Sequence, residues 1–142
     1  MSPVSQGFPR TARILKHATF ESVYQNGKKV FSQQMILFYM LRVSPWVAAG
    51  VLPAAGPRVG LTVGRKLGGA VDRNRIKRRM RAAVASALGE LGSDLAVDVV
   101  INARKTVLKS DFAALRQELG KAFATVRANL RKHPGPPDAR TR

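Results

Sequence analysis

The segment RVGLTVGRKLGGAVDRNRIKRRMR, residues 58–81, decides the fold because it leads from a strand into a helix through a glycine-rich turn. Every second residue from Val59 to Val63 is apolar, which predicts a half-buried strand with one small, polar face that a backbone or a ligand could approach. The glycines at 68 and 69 permit a tight turn. From Asp72 onward, apolar residues recur at helical spacing. The predicted buried side of this helix contains Ile76, Met80, Ala83, Val84, Ala87 and Leu88.

Similar patterns on both sides of this segment predict the other elements. Alternating apolar residues from Leu95 to Ile101 predict a second strand, and the apolar run 35–43 predicts a third, largely buried one. A short first helix should end at Asn26-Gly27 in a left-handed conformation. Ser110 is a suitable N-cap for a last helix. Its apolar stripe contains Phe112, Leu115, Leu119, Ala122, Phe123, Val126 and Leu130.

The order of these elements predicts an α/β (α+β) two-layer sandwich in which helices cover a small mixed sheet. The order is helix, strand, strand, helix, strand, helix, with room for one further strand before the middle helix. We expect a single domain over residues 1–142 with an ordered core of about 12–132. Segments 1–11 and 133–142 are predicted to be flexible tails, and 44–57, with three prolines, a long surface connection.

The composition predicts a polyanionic partner. The chain has 142 residues, 45% of them hydrophobic, and 25 Lys and Arg against 8 Asp and Glu give a net charge of +17. It has no Cys, which excludes disulfides and thiolate metal sites and favours the cytoplasm. No apolar run approaches the roughly 20 residues of a membrane-spanning helix, so we expect no membrane association.

The charge is concentrated between Arg65 and Arg81, a stretch that we call the basic segment. It holds eight basic residues and one acidic residue, Asp72. Like charges four residues apart on a helix repel each other, and phosphate groups would relieve that repulsion. The alternative is a solvated helix face, but the scarcity of acidic residues is unlike a mixed solubilising surface. The segment lacks the spacing of the GxxxxGK[ST] and GxGxxG nucleotide loops.

Residues 58–63, Arg65-Lys66, Gly68, Ala70-Val71 and the run Arg73-Asn74-Arg75-Ile76-Lys77-Arg78 with Arg81 closely resemble the RNR signature of the bacterial ribonuclease P protein subunit. The resemblance extends to Arg13-Ile14-Leu15, Phe20, Val23-Tyr24 and Gly27 in the first helix. It also includes Ile101 and Ala103-Arg104-Lys105 at the end of a strand.

This resemblance implies a small basic subunit that binds a large catalytic RNA. The holoenzyme of that family removes the 5′ leader from precursor tRNA by Mg²⁺-dependent hydrolysis, with Mg²⁺ bound mainly by the RNA. The family fold contains a left-handed βαβ crossover, an exception to the usual handedness. No catalytic or metal-binding residue and no obligate protein partner are expected of the polypeptide.

Two groups of site residues follow from the same resemblance. The residues expected to bind the catalytic RNA are Arg65, Lys66, Arg73, Arg75, Arg78 and Arg79. The residues expected to bind the single-stranded leader, in a cleft between the sheet and the first helix, are Phe20, Tyr24, Phe38, Asn74, Lys77 and Arg81. Helical spacing supports part of this division, because Asn74, Lys77 and Arg81 form a stripe beside the apolar side while Arg75, Arg78 and Arg79 are predicted to point away from it. Aromatic residues at helical spacing are also common in protein cores, so a core role for Phe20 and Tyr24 stays open.

A protein-only nuclease would need a cluster of carboxylates, or His with acidic residues. The acidic residues are scattered along the chain, and the two histidines, His17 and His133, are far apart in sequence. We therefore expect the polypeptide alone to cleave nothing. The alternative function is a ribosomal or ribosome-assembly RNA-binding protein. A double-stranded DNA binder is less favoured because no helix-turn-helix spacing accompanies the basic helix.

Overall fold

A computed structural model describes residues 13–14, 17–41, 56–92 and 96–132. The elements in these ranges are α1 (His17–Asn26), β1 (Lys28–Phe31), β2 (Met35–Leu41), β3 (Arg58–Thr62), α2 (Ala70–Ala87), β4 (Val97–Ala103) and α3 (Phe112–Lys132). Short 3-10 turns precede α2 at Arg65–Leu67, follow it at Leu88–Glu90 and precede α3 at Lys105–Leu108. The predicted tails, most of the predicted connection, and the strand start at Leu95 lie outside the described residues.

The four strands form one mixed sheet in the order β1-β2-β4-β3. β2 pairs antiparallel with both β1 and β4, whereas β3 and β4 run parallel. Parallel neighbours require a crossover connection, and α2 provides it. The predicted mixed sheet and βαβ unit are therefore confirmed, and the left hand of the crossover stays a prediction.

One face of the sheet, the sealed face, packs against α2 and α3. Alternate residues of the central strands, among them Leu37, Val99 and Ile101, are fully buried there. The predicted apolar stripes of both helices supply the other side of this core, as their spacing indicated. Phe112 is the exception, because it lies at the start of α3 and is 39% exposed.

The opposite face, which we call the aromatic face, is covered in part by the ten-residue α1. Val23 of α1 and Val100 of β4 are buried there, whereas Phe20, Tyr24 and Phe38 are only partly buried. The helices therefore divide between both faces, with α2 and α3 on one and the shorter α1 on the other. This division leaves a partly exposed aromatic surface beside α1, at the place where the leader cleft is predicted.

Several local predictions differ from the structure. The predicted order left room for a further strand directly before the middle helix, but the additional strand, β1 with the sequence KKVF, lies between α1 and β2 at the edge of the sheet. Gly27 does not have a positive φ. It is required for space, because a Cβ there would lie 2.5 Å from the Val23 carbonyl oxygen and 2.7 Å from that of Tyr39.

The N-cap of α3 also differs from the prediction. The Asp111 carbonyl accepts the first helical hydrogen bond, from the Leu115 N–H at 3.0 Å, so Asp111 and not Ser110 is the N-cap. The Ser110 hydroxyl instead donates to the Val107 carbonyl at 3.5 Å. The prediction at Gly68 is confirmed, since its φ of 139° lies in the region that favours glycine.

A carboxylate from α3 fixes the turn between β1 and β2. Glu118 accepts hydrogen bonds from the Ser32 hydroxyl, from the Gln34 backbone N–H at 2.7 Å and from the Gln34 side-chain amide at 3.0 Å. Burial alone would raise the pKa of Glu118, but these hydrogen bonds, with the positive charge of Arg104, hold the pKa below its ordinary value. The hairpin is thus tied to α3 by an ionised side chain.

Candidate nucleic-acid interface

The basic segment presents a row of exposed cations. Arg65 and Lys66 lie in the 3-10 turn before α2, and Arg75, Arg78 and Arg81 are exposed on α2 itself. Among the described residues, none of these five forms an ion pair. Positive charge that is not neutralised within the protein is available to phosphate groups.

Arg79 has a different environment from the other members of the predicted RNA-binding set. Its Nε donates to the Val107 carbonyl at 2.9 Å and its Nη2 donates to the Ser110 carbonyl. Arg79 lies three residues after Ile76 and four before Ala83, so it borders the buried stripe. The prediction that Arg79 points away from the apolar side is therefore wrong. Its guanidinium group attaches α2 to the turn that precedes α3.

Arg73 also lies close to the core. It precedes Ile76 by three residues, and its side chain is half-buried. The Nε atom of Arg73 is buried and has no hydrogen-bond partner in the part of the chain that the structure describes. Lys77 is likewise half-buried, whereas Asn74 on the same stripe is exposed. The predicted residues of α2 therefore divide into an exposed group and a group at the margin of the core.

On the aromatic face, Tyr24 connects α1 to two strands. Its hydroxyl donates to Oδ1 of Asn102 at 2.6 Å and accepts from the Thr62 hydroxyl at 2.7 Å. Its ring meets the Phe38 ring edge to face, with centroids 4.8 Å apart. Nζ of Lys29 lies 5.4 Å from the centroid of Phe38, a cation–π distance. Aromatic surface and positive charge thus occur together in this cleft.

Phe20 lies directly over Gly60 of β3. A Cβ at Gly60 would come within 2.6 Å of Cζ of Phe20 and 3.1 Å of Cβ of Ile14. The small face of β3 was predicted to admit a backbone or a ligand, but the group that approaches it is the protein's own Phe20 ring. Phe20 therefore has a packing role, as one of the two readings of the sequence allowed, and it also remains partly exposed.

An ion pair between a half-buried arginine and a buried carboxylate lies further along the same face. Arg58 donates from Nε and Nη2 to the two carboxylate oxygens of Asp98, both at 2.9 Å. Asp98 is only 2% exposed, and its hydrogen bonds with Arg58 raise the pKa of the Arg58 guanidinium. The pair links the neighbouring strands β3 and β4 where they are in register.

The sheet divides the predicted leader-binding group, so its six members do not share one cleft beside α1 as predicted. Phe20, Tyr24 and Phe38 come together on the aromatic face. Asn74, Lys77 and Arg81 belong to α2, which packs against the sealed face. The chain connects the two surfaces at the edge strand β3, which ends at Thr62 and is followed by Arg65 and Lys66 and then by α2.

Sequence reasoning missed Thr62, Asn102 and Lys29 as parts of this cleft. Asn102 is one of two polar residues in the mostly apolar strand β4, with Asp98, and this interruption is the signal that could have identified it. The described residues contain no group of three or more His, Cys, Asp or Glu side chains that could hold a metal ion. In the same part of the chain, no helix is long and apolar enough to cross a membrane.

A family model described as ribonuclease P matches residues 8–127. The chain belongs to the ribonuclease P protein family. The ribonuclease P protein component of Streptococcus pyogenes serotype M5 is 28% identical to it over 110 residues, which cover 78% of this chain and 82% of that protein. The predicted family is therefore confirmed.

Solved structures of ribonuclease P proteins have the same fold. The Staphylococcus aureus protein, solved at 2.0 Å, aligns with a TM-score of 0.63 at 25% identity, over 82% of this chain and 95% of that one. The Thermotoga maritima protein aligns with a TM-score of 0.64 at 21% identity, over 80% and 96% of the two chains. The family match supports a ribonuclease P protein and not the alternative of a ribosomal or ribosome-assembly protein. As a subunit of ribonuclease P, the chain has an RNA partner in the holoenzyme.

Proposed function

We propose that this ribonuclease P protein binds the catalytic RNA through the exposed cations of the basic segment and binds the single-stranded 5′ leader of precursor tRNA through the aromatic face. The observation that carries the proposal is the placement of these two surfaces on either side of one sheet edge. A single protein could then contact the folded RNA and the substrate strand together, in the cytoplasm.

The contact with the catalytic RNA is assigned to Arg65, Lys66, Arg75 and Arg78, which are exposed and have no ion-pair partner among the described residues. Guanidinium groups bind phosphates bidentately, and each neutralised phosphate releases counterions. Arg73 borders this surface with a half-buried guanidinium. Arg79 is assigned a supporting role, because it holds α2 against the turn before α3.

The contact with the leader is assigned to Phe20, Tyr24 and Phe38. Stacking of bases on aromatic rings tolerates any base sequence, which suits leaders that differ between tRNAs. Lys77, Arg81 and Asn74 are proposed to contact the strand where it passes the edge of β3. They would meet phosphates there, outside the cleft itself.

Cleavage of the phosphodiester is assigned to the RNA subunit. The described carboxylates do not fit a Mg²⁺ site, because Asp98 is paired with Arg58 and Glu118 is hydrogen-bonded to the hairpin turn. We therefore propose that Mg²⁺ is held mainly by the RNA, and we assign no step of the reaction to a protein-bound metal.

The RNA contact is tested with the double variant Arg75→Ala/Arg78→Ala. For the wild type, the logarithm of the association constant for the catalytic RNA should fall against the logarithm of the salt concentration with a slope of about −3 to −6. In the variant this slope should be less steep by about 2, because two phosphate contacts are removed. The double variant Lys121→Ala/Arg131→Ala removes the same charge from exposed positions of α3 and should bind nearly normally. Equal losses in both variants would show that only net charge matters and would overturn the assignment.

The leader contact is tested by comparing holoenzyme affinity for precursor and mature tRNA. Loss of a stacking ring in Phe20→Ala or Phe38→Leu should weaken binding of precursor tRNA about tenfold and leave mature tRNA unchanged. Because Phe20 also packs on Gly60, the folded fraction of each variant is measured by circular dichroism. A leader-independent loss in well-folded variants would contradict the proposal.

A further inference from the structure

The strand register arranges the aromatic face in two parallel rows. The first row, the Phe38 row, crosses all four strands as Lys29, Phe38, Val100 and Gly60. The second row, the Phe31 row, crosses them as Phe31, Ile36, Asn102 and Thr62. Both rows lie on the same side of the sheet, because side chains two residues apart on a strand share a face.

Cover by α1 differs between the rows. In the Phe38 row, Phe20 lies over Gly60, and Val100 is buried. In the Phe31 row, α1 reaches only Asn102 and Thr62, through the Tyr24 hydroxyl. Ile36 is half-exposed, and Phe31 is 68% exposed on the edge strand β1. The Phe31 row is therefore the open part of the cleft.

Cations lie near the Phe31 row, and the phosphates of a single RNA strand require such positive charge. Beyond Thr62 the chain continues to the exposed cations Arg65 and Lys66. On β1, Lys29 belongs to the neighbouring Phe38 row and lies on the same face as Phe31, with its Nζ 5.4 Å from the centroid of the Phe38 ring. With strands about 4.8 Å apart, the row spans about 14 Å, the length of a few nucleotides.

Among the described residues, Phe31 is the most exposed aromatic side chain, and it lies on the same face as the residues of the proposed leader contact. The cations Lys29 beside the row and Arg65 and Lys66 in the turn after β3 favour an anionic partner, and continuity with the proposed leader site indicates which one. Asn102 still has an amide N–H₂ group that donates to no described residue, so the row also offers a hydrogen-bond donor.

We infer that the 5′ leader crosses the sheet along the Phe31 row and that Phe31 provides the stacking surface for a base at its far end. The inference rests on the proposed leader contact and adds a residue and a direction to it. Phe20, Tyr24 and Phe38 act on leader nucleotides near α1, and Phe31 acts on nucleotides that reach β1. The contribution of Phe31 should therefore depend on leader length.

The test is a series of precursor tRNAs with leaders of one to about ten nucleotides, bound by holoenzyme assembled with wild-type protein or with Phe31→Ala. Affinity for long leaders should fall about tenfold in the variant, with no change for the shortest leader. Phe31→Trp should retain long-leader affinity, whereas Phe31→Leu, which keeps an apolar side chain, should lose it. Phe112→Ala removes a partly exposed aromatic ring from the opposite side of the sheet and should leave affinity unchanged at every length.

The outcomes separate this inference from the proposed function. If Phe31→Ala binds every leader like wild type while Phe20→Ala still lowers affinity for precursor over mature tRNA, the Phe31 contact is wrong and the leader site stands. If neither variant distinguishes precursor from mature tRNA, both fail. Sedimentation velocity tests the other occupant, a second copy of this chain on the edge of β1. A concentration-dependent dimer that Phe31→Ala abolishes would overturn the inference.

Discussion

The two faces of the sheet are built from the same strands but are covered very differently. On the sealed face, Leu37, Val99 and Ile101 are fully buried beneath helices of 18 and 21 residues. On the aromatic face, their sequence neighbours Ile36, Phe38 and Asn102 are only half-buried beside a helix of ten residues. Strand alternation thus places stability on one face and leaves surface for binding on the other.

The largest expected effect comes from the sealed face. Phe123→Ala would leave a cavity at a fully buried site and should lower the free energy of unfolding by about 3–5 kcal/mol. Urea denaturation followed by circular dichroism measures this loss. Under conditions where the variant remains folded, its discrimination between precursor and mature tRNA should be normal, and a selective loss of leader binding would break the distinction between the faces.

A second substitution tests whether the aromatic face also contributes to stability. Arg58→Met removes two charge-assisted hydrogen bonds from the buried Asp98 carboxylate and should cost about 2 kcal/mol in chemical denaturation. The double variant Arg58→Met/Asp98→Leu removes both charges and should recover most of that loss. If the single and double variants were equally unstable, the cost would come from lost packing and not from the hydrogen bonds that the Asp98 carboxylate loses.

A smaller effect is expected where α1 meets the sheet. Tyr24→Phe removes one hydroxyl that joins Asn102 and Thr62, and should lower the free energy of unfolding by about 1 kcal/mol. The phenyl ring remains for stacking, so leader affinity should change much less than in Phe38→Leu. Titration of the holoenzyme with precursor tRNA measures this difference, and a tenfold loss of affinity would assign the hydroxyl itself to leader binding.

The smallest effect concerns Glu118 and depends on pH. The folded state holds the pKa of Glu118 below its ordinary value of 4.5, so its ionised form stabilises the fold above that pH. The contribution should be lost as the pH falls through the depressed value. Unfolding free energies of wild type and Glu118→Gln, measured from pH 6 downward, should therefore converge in acid. A gap that stays constant with pH would show that ionisation plays no part.

Sequence periodicity predicted the sealed face well because burial there follows spacing directly. Ile76, Met80 and Val84 of α2 are buried as their positions indicated. β1 gave a weak signal, because an edge strand with two lysines among four residues has no clear apolar alternation. The family resemblance gave the candidate site residues, but it could not distinguish a free cation from one used for packing.

Interactions between distant parts of the chain account for the remaining differences. Arg79 lies within the basic segment, yet its partners are backbone carbonyls about 30 residues later. Glu118 and Gln34 are 84 residues apart, and Arg58 and Asp98 are 40 apart. Such pairs depend on how the helices and strands pack together, so neither composition nor local spacing reveals them.

The contact between Gly60 and Phe20 sets the height of the first helix above the sheet. A single added methyl group at residue 60 would meet the ring at 2.6 Å, so the ring would have to retreat by at least 0.8 Å to reach an ordinary distance of 3.4 Å. Residues 20 and 60 are therefore matched in size: Phe20 has a large side chain, and Gly60 has none. Related proteins with a bulkier residue at the strand position should carry a smaller one on the helix, or should hold their substrate strand in a wider groove.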